Sequence, residues 1–83
     1  MTFHSDIWSG AALRELAAMS QAVQDQVEAC VRDICRDPHT AGEVLLGTPP
    51  RQLYGAEAGP VLVIYVIDEL GEAVYIRSVA QRG

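Results

Sequence analysis

Two cysteines, two histidines and a group of carboxylates are the side chains from which thiol or metal chemistry could be built, and their spacing builds neither. Cys30 and Cys35 lie five apart on a predicted helix, which sets them about 140° apart around its axis with Cα atoms roughly 8 to 9 Å apart. A disulfide between them would require that helix to break. Two cysteines with remote His4 and His39 match no zinc spacing. The thiols therefore read as small buried apolar groups, and the histidines as surface residues. Asp68, Glu69 and Glu72 gather around a turn without the ligand spacing of a calcium loop, and read as a solvated hairpin tip. No metal and no cofactor is expected. Arg77 and Tyr75 are left as groups able to meet an acidic or aromatic partner, and Arg82 near the C-terminal end reads as a solvated residue.

These residues must be positioned by two runs, Val61–Asp68 and Ala73–Ala80, rich in β-branched and aromatic residues that suit a pleated, half-buried surface. The four residues between them, Glu69-Leu70-Gly71-Glu72, have the length of a hairpin loop, with Gly71 free to take a positive φ. If Asp68 faces Ala73, the paired positions sum to 141 throughout. That register puts Val61, Val63, Tyr65 and Ile67 on one face with Val74, Ile76, Ser78 and Ala80. Leu62, Ile64 and Val66 then share the opposite face with Tyr75, Arg77 and Val79. A hairpin with one wet face should alternate apolar and polar residues. This one hardly does, so a second covering is required, from within the chain or from another molecule.

Eighty-three residues suffice for one domain spanning 1–83, and 49% hydrophobic residues provide a core. No apolar run has the length of a membrane span. Met1–Asp6 lacks the basic start and apolar stretch of a signal peptide, so a cytoplasmic protein is expected. Eleven acidic residues against six arginines, with no lysine, give a net charge of −5. Affinity for a polyanion comes from neutralising its phosphates. Strong binding of nucleic acid or the ribosome by this chain alone is therefore not expected.

Taken in order, residues 2–8 suggest a short strand. Ser9 can cap a helix from Gly10 to about Met19, with Leu13, Leu16 and Ala17 inward and Arg14 and Glu15 outward. Ser20 repeats the cap for a helix from Gln21 to about Arg36, whose apolar stripe is Val23, Val27, Cys30, Val31 and Ile34. Asp37-Pro38 ends it, because the residue before proline is pushed out of the helical region. His39–Thr48 reads as a connector, Gln52–Tyr54 as a short strand, and Gly55–Pro60 as a turn. The expected fold class is α+β: an N-terminal α-helical hairpin packed on an antiparallel sheet in two layers.

Trp8-Ser9, Ala12-Leu13-Arg14-Glu15-Leu16 and Val23 through Asp37-Pro38 resemble the helical half of the RelE/ParE toxin superfamily. Gly47, Leu53-Tyr54, Gly59, Val63–Asp68 and Val79-x-x-Arg82 resemble its sheet half. The resemblance covers nearly the whole chain. It implies a toxin of a type II toxin–antitoxin module, with a cognate antitoxin as partner. RelE-like members cleave messenger RNA on the ribosome; ParE-like members share the fold and poison DNA gyrase.

The departures bear on activity. RelE-like nucleases carry basic residues directly after the tyrosine matched by Tyr54 and two positions further, where this chain has Gly55 and Glu57. They carry an arginine in the central strand, where this chain has Leu62, and a catalytic tyrosine in a C-terminal tail, which is not expected in a sequence ending at Gly83. Only Arg82 matches a basic residue near the end of the last strand. Cleavage of RNA by its own 2′-OH needs a base, an acid and positive charge on the phosphorane, and Glu57 would repel the phosphate. The expectation is a RelE/ParE-like protein that acts by protein binding, on an antitoxin and either on a gyrase-type target in the manner of ParE or as an inactive relative, through Leu62, Ile64, Val66, Tyr75, Arg77 and Val79. The alternative is a ribosome-dependent endoribonuclease using Arg77 and Arg82. A third reading is a homodimer joined through the same sheet face.

Overall fold

The computed structural model describes residues 3–82. The elements are β1 (Ser5–Trp8), α1 (Gly10–Ala17), α2 (Gln21–Arg36), α3 (Pro38–Ala41), β2 (Glu43–Thr48), β3 (Arg51–Ala58), β4 (Val61–Asp68) and β5 (Ala73–Gln81). They form an α+β fold with one five-stranded sheet in the order β1-β5-β4-β3-β2. β2 through β5 are antiparallel, and β1 joins the edge parallel to β5. The sheet is therefore mixed. The strand expected over residues 2–8 is present as β1; Thr2, where it was to begin, lies outside the described residues.

Both serine caps form, Ala12 N donating to Ser9 Oγ at 3.0 Å and Val23 N to Ser20 Oγ at 3.3 Å. α2 stops at Arg36, before Asp37-Pro38. The stretch read as a connector holds two elements instead. Pro38, with φ preset and no N–H to satisfy, starts the single turn α3. Glu43–Thr48 then runs as an edge strand whose residues are all exposed, so no alternation announces it. Gly55–Ala58, read as turn chemistry, continues β3; only Gly59-Pro60 turns, with Gly59 at φ +59. Ala56 and Ala58 are small and buried where α2 crosses β3.

The core lies between the helices and one sheet face: Ala12 from α1, Val27, Val31, Ile34 and Cys35 from α2, and Val61, Val63, Tyr65, Val74, Ile76 and Val79 from the sheet. Tyr65, fully buried, stacks on Tyr54 and donates to the Pro38 carbonyl at 2.7 Å. Among the described residues, no helix is long and apolar enough to cross a membrane.

The β4–β5 register follows the expected sum from Asp68↔Ala73 to Tyr65↔Ile76 and then slips by one, to Ile64↔Ser78 and Val63↔Val79. Arg77 is the extra residue of a β-bulge. Its consequence corrects the sequence reading: Val79 is 0% exposed in the core, while Ser78 and Ala80 pair with Ile64 and Leu62. The bulge is held by α1. Ser9 N donates to the Ile76 carbonyl and Ser9 Oγ to the Arg77 carbonyl, both at 3.0 Å. Glu15, expected to point outward, turns to the sheet and accepts from Ser78 Oγ (3.0 Å) and Val79 N (3.1 Å).

Candidate protein-binding face

The sheet face turned away from the helices carries the residues singled out in β4. Leu62, Ile64 and Val66 alternate with the buried Val61, Val63 and Tyr65 and are each half-buried. Tyr75, opposite Val66, is 39% exposed. The structure thus brings together Leu62, Ile64, Val66 and Tyr75. Arg77 stands exposed at the bulge, and Val79 is on the other face.

On β3, Gly55 faces Ile64 and Glu57 faces Leu62. A Cβ on Gly55 would come within 2.7 Å of the Leu45 side chain, so Leu45 fills the space that a larger residue after Tyr54 would need. Glu57 Oε1 pairs with Arg82 Nη1 at 3.2 Å across an exposed surface. The two arginines of the nuclease alternative are therefore unequal: one is engaged by a carboxylate, the other sits at a bulge. What the face offers is apolar area with an aromatic rim.

Residues that the sequence reading left apart, His39 as a surface residue and Glu69 at the hairpin tip, meet with Tyr54 at the end of the sheet. His39 Nε2 pairs with a Glu69 carboxylate oxygen. The Tyr54 hydroxyl lies 3.4 Å from His39 Nδ1 and 3.2 Å from Gln52 Oε1, to which it donates. These partners are 15 and 30 positions from His39 in the chain, so no local spacing could have joined them. Among the described residues no three His, Cys, Asp or Glu side chains gather as a metal ion would require. Both cysteines are free thiols. Burial, and then Asp33, push the Cys30 thiol up; burial, and then Asp6, do the same to Cys35. Burial raises the Tyr65 phenol far above its ordinary range, with Tyr54 adding to the effect. None of the three is poised as a nucleophile.

No family model matches the sequence, and no curated protein matches it significantly. Solved structures do, and what they show is the fold, which is that of the RelE toxins. A chain of the RelBE2 toxin–antitoxin complex from Mycobacterium tuberculosis superposes with a TM-score of 0.86 at 23% identity, covering 99% of this chain and 94% of that one. A chain of the RelE–RelB complex from Pyrococcus horikoshii gives 0.82 at 21% identity, covering 100% and 98%. The isolated RelE toxin of E. coli gives 0.81 at 18%, covering 96% and 85%. The resemblance read from the residues is met at the level of fold, and a fold of itself does not carry an activity.

Proposed function

We propose that this chain, acting as one unit over residues 1–83, is the toxin-fold member of a type II toxin–antitoxin module and works by binding protein rather than by cleaving RNA. The observation that carries this reading is the half-exposed apolar row Leu62, Ile64 and Val66, flanked by Tyr75, on a sheet face whose neighbours are Gly55 and Glu57. Contiguous apolar surface of this kind marks an interaction site. The RelE chains of M. tuberculosis and P. horikoshii were solved in complexes with their antitoxins, which supports an antitoxin segment as the first partner. A gyrase-type target would be a second protein ligand of the same module.

The test is capture of the product of a small adjoining reading frame by the purified chain. Wild type should retain it, Leu62→Glu should weaken capture by at least about tenfold, and Arg82→Ala should leave it unchanged. Ribosome-dependent cleavage of messenger RNA by wild type, abolished in Arg82→Ala, would overturn the reading. Self-association through this face would instead show as a dimer by light scattering that Ile64→Glu dissociates.

A further inference from the structure

The sheet forks at one end. β3 and β4 pair from Ala58↔Val61 to Tyr54↔Tyr65, and there the ladder stops although both strands continue. Residues Arg51, Gln52 and Leu53 remain paired with β2, while Val66, Ile67 and Asp68 remain paired with β5. The two hairpin arms diverge and leave a cleft of about 600 Å³ between them. Pro49 and Pro50 wall it from one arm, and Val66 and Tyr75 from the other.

Its carboxylates are Asp68 and Glu69, with His39 beside them and no arginine in the lining. Asp68 is turned into the hairpin loop, Oδ1 accepting from Gly71 N and Oδ2 lying over Gly71. Glu69 Oε1 holds His39, and its second oxygen accepts no hydrogen bond among the described residues. The exposed Tyr75 ring and the proline and valine walls supply surface for a flat cation and its alkyl stem. Carboxylate oxygens beside an aromatic face and apolar walls match a guanidinium group, which binds carboxylates through several N–H donors and stacks on rings.

We propose that the cleft between the hairpin arms receives an arginine side chain of the protein partner that lies on Leu62, Ile64 and Val66. Val66 and Tyr75 belong to both surfaces, so a segment crossing the sheet face runs directly into the cleft. The domain's net charge of −5 favours a basic segment in the same direction. This inference rests on the sheet face being the docking surface.

Nα-acetyl-L-arginine N-methylamide, titrated into the ¹⁵N-labelled full chain, tests it without any partner. The corresponding citrulline amide, uncharged and nearly isosteric, is the control. Saturable shifts should appear at the amides of Val66, Glu69, Leu70 and Tyr75. Affinity should fall about fivefold or more for citrulline and in Glu69→Gln, and similarly in Tyr75→Leu, which leaves the His39–Glu69 pair in place. Equal binding of both amides, or shifts spread over the surface carboxylates and unaltered by either substitution, would overturn it. Failure here with partner capture intact removes the cleft alone. Lost partner capture with arginine binding intact removes the reading of the sheet face.

Discussion

Gly55 and Glu57 shape the sheet surface beside Ile64 and Leu62 by two different physical means. At Gly55 the missing side chain leaves room that Leu45 occupies. At Glu57 a carboxylate stands beside Leu62 and pairs with Arg82. Ionisation adds a prediction at the same scale. Cys30, Cys35 and Tyr65 are all raised from ordinary values of 9.0, 9.0 and 10.0, burial being the first cause in each. Below those ordinary values both folded and unfolded chains hold these protons, and stability does not depend on them. Above them the unfolded chain loses protons that the folded chain keeps, so stability falls as pH rises. Urea midpoints measured at pH 8 and 10.5 should show the higher pH as the less stable, and the difference should shrink in Tyr65→Phe compared with its own pH 8 value.

At the scale of elements, the turn between β4 and β5 and the bulge in β5 decide where side chains point. Gly71 is free to supply a positive φ in the turn, but Glu72 holds it, at φ 50, and Gly71 provides room for the Asp68 carboxylate, whose Oδ2 lies 2.5 Å from where a Cβ would stand. A left-handed conformation is costly for a residue with a Cβ. Glu72→Gly should therefore stabilise the fold by about 0.5–1 kcal/mol after the entropy cost of glycine, read as a higher thermal midpoint. The bulge depends on α1. Glu15→Ala removes the acceptor of Ser78 Oγ and Val79 N, and should cost about 1–3 kcal/mol in urea denaturation, with Glu15→Gln losing less. If Glu15→Ala is neutral, the bulge is held by the strand itself.

For the molecule as a whole, the sheet is divided into a helix-covered face and an uncovered one, and the proposed function belongs to the second. Substitution on the covered face, at Val63 or Val79, would open the core. Leu62→Glu, on the uncovered face, should leave the thermal midpoint within a few degrees of wild type, a shift of about 0.5 kcal/mol or less, while weakening capture of the partner by at least about tenfold. A variant that unfolds would mean that Leu62 serves the fold rather than a ligand. Two arms that diverge beyond Tyr54 and Tyr65 give the same uncovered face an acidic end beside its apolar row.

The amino-acid sequence by itself determined whatever depends on neighbours within a few positions. The serine caps, the Asp37-Pro38 stop, the buried stripe of α2 and the β4–β5 hairpin near its turn are all local, set by periodicity, capping and φ restriction. It also placed the α+β class and the RelE resemblance. Only the tertiary structure decided the rest. β1 pairs parallel with a strand almost seventy residues away, and β2 is an edge strand with no buried side to create alternation. The slip at Arg77 exists because Ser9 and Glu15 satisfy the bulged backbone from another element, and it alone moved Val79 into the core. His39, Tyr54 and Glu69 meet only when the hairpin arms are in place. Such contacts join residues far apart in the chain, and closing those loops is favourable only when the packed core is formed around them.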